Sequence, residues 1–232
     1  MALEQGSTQE PPSNIENFVL LGLKLFGALP AKTAAWPEQL PEDPLDRVRT
    51  ASRTMEREQA LIMFGFRGST YAAADRPALE VMTAILSGMA GRLFQAVREE
   101  HGLSYTLGAV HVPGWDPGYL LVYAATRPRE QDRVMQVLEE QLTRSATEPF
   151  SDEEVEQAKR YLIGLHRMEL QHIVGLAKRA ALDELGRVGY DAWTRYEAKI
   201  NAVTPAMVHE VAARYLTVTR RAQVIVGPNT HQ

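Results

Sequence analysis

Apolar residues in this chain follow two rhythms. Residues 59–68, QALIMFGFRG, are an apolar run ending in glycine, the pattern of a strand covered on both faces. In DRPALEVMTAILSG the apolar positions Leu79, Met82, Ile85 and Leu86 return at helical spacing, with Asp75 placed as N-cap and Pro77 in the first turn. A short helix is expected over roughly 91–101. LSYTLGAVHV (103–112) and GYLLVYAAT (118–126) read as strands. Between them PGWDPG has turn chemistry at five of six positions, so the pair predicts a hairpin.

Helical spacing dominates the chain beyond the hairpin. Val134, Val137, Leu138 and Leu142 share one face of PREQDRVMQVLEEQLTRSA. Ser151 and Glu154 form a capping box that opens SDEEVEQAKRYLIGLHRMELQH. Glycines at 164, 175, 186 and 189 divide that stretch into two or three helices by about residue 190. DAWTRYEAKINAV is a further helix, and TPAMVHEVAARYL is opened by Thr204 as N-cap with Pro205 first inside. AQVIVGP (222–228) is a last short strand. A strand, helices, a hairpin, more helices and a strand predict an α+β fold with helices on one face of a mixed or antiparallel sheet.

The N-terminal region lacks such order. Residues 1–14 are polar, without Lys or Arg, and read as a disordered lead-in or expression remnant; a signal peptide needs a positive start and an apolar stretch. FVLLGLKLFGALPA is too short and interrupted for a membrane span and predicts an amphipathic helix burying Phe18, Leu21 and Leu25. Residues 30–50 hold four prolines and several charges, the composition of an extended connector.

With 25 basic against 29 acidic residues the net charge is −4, so no basic stripe awaits nucleic acid or anionic lipid. The chain has no cysteine, which removes disulfides, thiolate metal sites and a cysteine nucleophile. That composition suits a bacterial cytoplasm and periplasm equally.

Metal chemistry finds no obvious foothold. In HRMELQH, His166 and His172 are six residues apart, which on a helix turns them about 120° from each other with ~9 Å of rise. HEVAA (209–213) begins like a His-Glu-x-x-His signature but has Ala213 in the second histidine's place. Both are expected to be helix-surface histidines, and no metal site is expected in this chain alone. Gly-x-Ser-x-Gly and phosphate-loop motifs are missing. The carboxylate pairs Glu99–Glu100 and Glu153–Glu154 read as solvated helix faces.

GRLFQAVREEHGLSYTLG (91–108) is different, because Arg98 and Tyr105 flank a tight helix-to-strand corner. A plain structural role is open to both. Arg98 would offset the helix's carbonyl end, Gly102 would be the left-handed C′ residue, and Tyr105 would alternate with Leu107 and Ala109 in a strand. The same corner also sets two hydrogen-bond donors at the mouth of a sheet, which suits a peptide carbonyl or an oxyanion.

The segment GMAGRLFQAVREEHGLSYTLGA resembles the zinc-free half of the pitrilysin/insulinase zinc metallopeptidases, the inverted zincins. KLFGALP, the 150–171 helix and the closing NAVTPAMVHEVAARYL…AQVIVGP are similar as well, so the resemblance spans roughly residues 15–228 as one half-domain, with 229–232 as a tail. It implies two homologous halves facing each other across a chamber. One would hold zinc through His-x-x-Glu-His and a downstream Glu. The zinc-free half would lend Arg98 and Tyr105 to grip the substrate carbonyl and stabilise the oxyanion formed by a zinc-activated water. The chain would then carry no cofactor and no activity alone, zinc residing in the partner half; the partners implied are that half and a peptide. An alternative is a structural or assembly subunit of the same fold, and a self-contained enzyme with an unforeseen metal site is a third. The resemblance also implies an opening strand of the type Val-Val-Val-Gly-Asp, where this chain has MALEQGSTQEPPSN. A sheet one strand short suggests a fragment of a longer protein or a trimmed expression product, with an edge open to homodimer formation or strand exchange.

Overall fold

The computed structural model describes residues 14–29, 43–88 and 91–228. The chain divides into two units, Met1–Pro41 and Glu42–Gln232. In the first, helix α1 spans Asn14–Phe26. Leu21 and Leu25 are exposed, as are Leu20, Leu23 and Phe26, which corrects the expectation that the first two are buried; the Phe18 side chain lies outside what is described. The lead-in, apart from Asn14, and most of the proline-rich connector also lie outside the described residues.

The second unit is built on five strands: β1 (Arg49–Thr54), β2 (Ala60–Arg67), β3 (Ser104–Val112), β4 (Tyr119–Thr126) and β5 (Ala222–Gly227). Their order in the sheet is β1-β5-β2-β4-β3, parallel between β1 and β5 and antiparallel elsewhere. The closing strand therefore sits in the interior of the sheet, and β1 and β3 form the edges. Strand β1 escapes the sequence pattern because RTASRT has no apolar alternation and all six residues are exposed.

In β2 the alternate residues Ala60, Ile62, Phe64 and Phe66 are buried, while Leu61, Met63 and Gly65 opposite are half-buried. Coverage is thus one-sided, not two-sided as the unbroken apolar run suggests. The covering layer comprises α2 (Arg76–Ser87), α3 (Arg92–Phe94) with its π-helical continuation Gln95–Glu100, and α4 (Gln131–Thr147). It continues with α5 (Asp152–Leu170), α6 (Ile173–Leu185), α7 (Tyr196–Asn201) and α8 (Pro205–Tyr215). Helix α2 lies deepest, with Leu79, Met82 and Leu86 wholly buried. Each such side chain is worth about 1.5–3 kcal/mol on leaving water.

The capping box at Ser151 and Glu154 is present, and Thr204 accepts from the Met207 N–H. Asp75 occupies the N-cap of α2, but its carboxylate is turned away to accept from Arg214 at 2.8 Å and the Tyr215 hydroxyl at 2.9 Å. It thereby joins α8 to α2. No helix among the described residues is long and apolar enough to cross a membrane.

Candidate functional site

The corner between the π-helical turn and β3 is fixed from both sides. Helix α3 is held to α5 by Arg92, whose Nε and Nη2 donate to the Glu154 carboxylate at 2.6 and 3.0 Å. Glu154 is therefore not the solvated residue expected from its run of acids. From Gln95 the helix widens into a π-turn, a geometry often found at functional sites, and Arg98 sits in its last turn. Gly102 ends it at φ +63°, and the Leu103 N–H returns to the Val97 carbonyl at 2.9 Å. A left-handed residue is needed there, and glycine supplies it without a Cβ penalty.

Strand β3 then begins with a bulge. Ser104 faces Thr126 and Thr106 faces Ala125, leaving Tyr105 as the extra residue with no partner across the ladder. Without the bulge, Tyr105 would share the buried face with Leu107 and Ala109. The inserted residue turns it out instead, and it is 77% exposed. Side chains replace the lost ladder bonds: the Ser104 hydroxyl donates to the Ala125 carbonyl, and that of Thr126 to the Leu103 carbonyl, each at 2.6 Å.

Arg98 and Tyr105 are brought together. The guanidinium carbon stands 4.5 Å from the centre of the Tyr105 ring and 4.7 Å from that of Phe94. The cation is thus held between two ring faces, and among the described residues it makes no hydrogen bond. Its nearest carboxylate oxygen, on Glu99, is 3.7 Å away. A hollow of about 380 Å³ opens beside the pair; Tyr105 forms part of its wall with His101, Ser104 and Arg127, whereas Arg98 does not. Strand β3 is also a sheet edge, where backbone groups are free to pair with an extended chain. A planar cation with unspent donors, a phenolic hydroxyl and an open edge together can hold a peptide carbonyl and its backbone.

Among the described residues no three His, Asp or Glu side chains gather closely enough to hold a metal ion. His172 is exposed, but His166 is not the surface residue expected of it. It is 5% exposed, its Nε2 lies 3.1 Å from the Trp193 carbonyl, and its ring packs 4.4 Å from that of Tyr196. Burial, foremost, and then the Arg179 charge hold it below the usual histidine range. This is a core histidine that locks α5 to the segment before α7.

The sequence pattern did not reveal the Arg92–Glu154 bond that sets the Arg98 turn, because sixty-two positions separate the two residues. Nor did it mark Arg76, Glu80, Arg179 and Asp183, which gather in the helix layer as two pairs four residues apart. That spacing is the one available signal.

Comparison with known proteins agrees with this architecture. Residues 9–162 match the family model described as the peptidase M16 inactive domain. An uncharacterized zinc protease of Bacillus subtilis is 27% identical over 207 residues, covering 89% of this chain and 50% of that protein. Another from Streptomyces coelicolor is 31% identical over 186 residues, covering 78% and 40%. The chain thus spans about half or less of the length of these curated relatives. Among solved structures, a peptidase M16 inactive domain from Pseudomonas fluorescens superposes with a TM-score of 0.78 at 19% identity, covering 94% of this chain and 52% of that one. A protease from Helicobacter pylori gives 0.77 at 18%, covering 93% and 53%. At such identities the two structures show a shared fold. On the strength of the sequence match, this chain belongs to the family of peptidase M16 inactive domains.

Proposed function

We propose that this chain, over residues 15–228, is the zinc-free, substrate-gripping half of a two-half metallopeptidase. A homologous half that binds zinc would supply the metal. The observation that carries this is the Arg98 guanidinium, held 4.5 Å over an outward-turned phenol with no hydrogen-bond acceptor of its own among the described residues. When water adds to a peptide carbonyl, negative charge gathers on the oxygen, and donors fixed beforehand stabilise it most. Arg98 offers a charged donor and Tyr105 a neutral one. An extended substrate laid along β3 would gain main-chain hydrogen bonds with little demand on its side chains. The relatives named as zinc proteases, about twice as long as this chain, leave room for a second half.

The direct test is reconstitution. The purified chain alone should leave a quenched fluorogenic peptide intact, and adding a zinc-bearing half from the same host should release fluorescence. Cleavage by the chain alone would contradict the proposal. A stable complex that cleaves nothing would instead identify an assembly subunit, and self-association through the β3 edge would be seen as a homodimer in the same sedimentation run.

A further inference from the structure

We infer that the helix layer holds a second ligand site, a cavity that takes a monocarboxylate on a short apolar body and grips the carboxylate with Arg179 and Lys199. The cavity, about 450 Å³, lies among α2, α6, α7 and the segment leading into α2. An adjoining hollow of about 320 Å³ shares Arg179 and Tyr196 with it and reaches His111. His111 stands near the far end of β3 from Tyr105, roughly 20 Å away at strand rise. This site therefore belongs to the hairpin end of the sheet and not to the Arg98 corner.

The charges in the cavity do not balance. Arg76 and Glu80 satisfy one another through an Nε–Oε1 bond of 2.8 Å, and Arg76 also donates to the Tyr71 carbonyl at 3.1 Å. Two cations, Arg179 and Lys199, then face the single carboxylate of Asp183. Asp183 is 2% exposed, and its Oδ2 has no hydrogen-bond partner among the described residues. It stands 3.5 Å from Arg179 Nε, which is itself buried and equally without a hydrogen bond. A buried carboxylate beside a half-buried guanidinium at that spacing is incompletely compensated, since desolvation is recovered only by close, hydrogen-bonded contact. Arg179 makes no hydrogen bond among the described residues, and its guanidinium lies 5.2 Å from the centre of the Tyr196 ring. An entering carboxylate would take two parallel N–H bonds from that fork and bring the missing negative charge. Lys199, at the exposed rim, adds the second cation. Ala72, Pro77, Ala192 and Met207 complete the wall with small or flexible apolar groups, which suit a short aliphatic chain.

Two sources share this chemistry, a free branched carboxylic acid and the carboxyl end of a peptide. Calorimetric titration of the full chain with isovalerate and with N-acetyl-Ala-Leu separates them; isovaleramide and the peptide amide serve as controls. Saturable binding of at least one acid is expected, with neither amide bound. Arg179→Met should weaken binding about tenfold or more and Lys199→Met about threefold, the range for charge-assisted hydrogen bonds. Asp183→Asn should tighten binding by about threefold, because it removes a like charge beside the ligand; damage to the fold would only weaken it. Absence of binding by both acids, equal binding of the amides, or unaltered affinity in both Lys199→Met and Asp183→Asn overturns the site. The last two variants decide the matter if Arg179→Met does not fold.

Discussion

Glu154 receives both arms of Arg92, at 2.6 and 3.0 Å, and also accepts from the Ser151 N–H at 2.8 Å. One carboxylate thus closes the N-terminus of α5 and anchors α3, the helix from which the Arg98 turn grows. The Arg92 guanidinium also lies 4.2 Å from the centre of the Phe150 ring, so its stem is packed as well as paired. Arg92→Ala is expected to cost about 2 kcal/mol, the scale of a charge-assisted hydrogen-bonded pair, read as a lowered urea midpoint. Burial pushes the Glu154 carboxyl up, but the bonds from Arg92 and Ser151 outweigh it and hold it below the usual range. Its contribution is therefore full above the unfolded value and is lost as pH falls through the lower folded one. Glu154→Gln should lower stability at pH 7 and show a shallower decline on acidification below about pH 4.5.

Removing either donor at the corner should separate catalysis from folding. In the reconstituted peptidase Arg98→Ala and Tyr105→Phe are each expected to lower turnover by about one to three orders of magnitude, the scale for loss of one oxyanion donor. Tyr105 is 77% exposed, so its hydroxyl supports no packing and the melting temperature of Tyr105→Phe should not move. Arg98→Lys keeps the charge but loses the planar fork and its stacking, and should fall between wild type and Arg98→Ala. Steady-state kinetics beside thermal melts decide it: wild-type turnover in both Arg98→Ala and Tyr105→Phe would remove these side chains from the reaction.

Periodicity carried most of this fold to the surface of the sequence, and its failures have physical causes. Helices α2 to α5, α7 and α8 and the β3–β4 hairpin were legible because their apolar faces pack against one core, whereas α6 was marked only by the glycines around it, its single buried residue being Asp183. Strand β1 was not, because RTASRT is an exposed edge held by main-chain bonds to β5. Such bonds leave no mark in the side-chain pattern. Arg98 and Tyr105 stood out by their placement around Gly102, yet the bulge that turns Tyr105 outward was invisible. Strict alternation would have put that residue on the buried face with Leu107 and Ala109. His166 misled for the opposite reason. A polar residue among Glu and Arg reads as surface, and only the packing of Tyr196 and the Trp193 carbonyl around it makes it core.

Arg221 shows the same effect in a more costly form. It is 4% exposed, lies 4.1 Å from the centre of the Phe64 ring, and donates to Gln223 Oε1 at 2.8 Å as well as to the Val218 carbonyl and the Glu139 carboxylate. It thereby fastens the start of β5 to α4 across the core. Arg221→Met keeps the stem but strands those acceptors, and about 3 kcal/mol of stability should be lost. Glu139→Gln should cost less, about 1–2 kcal/mol, because the amide oxygen can still accept from the buried Arg221 while only the charge attraction is lost. Urea denaturation of both variants gives the comparison, and equal costs would mean the charge pair, and not burial of the cation, sets the penalty.

Acid should loosen the hairpin through His111. The Ser69 N–H donates to His111 Nε2 at 3.3 Å, so Nε2 is the acceptor and the proton rests on Nδ1, which is buried without a partner among the described residues. The Ser69 carbonyl in turn accepts from the N–H groups of Gly114 and Gly118 at 3.2 and 3.0 Å, so one histidine steadies the base of the β3–β4 loop. Burial, above all, brings its pKa down to about 4; Glu80 and Asp75 oppose that shift and Arg76 adds to it. An unfolded histidine titrates near 6.5. Between those values the unfolded chain binds more protons, so stability falls as pH drops from about 6.5 and levels off below about 4. The slope from this one group cannot exceed about 1.4 kcal/mol per pH unit, the limit for one proton. His166, also lowered by burial, contributes in the same direction, so the informative quantity is the difference between wild type and His111→Asn. Urea unfolding at pH 7, 6 and 5 should give curves that converge as pH falls, because the variant has no imidazole to charge. Parallel curves would assign the acid sensitivity elsewhere.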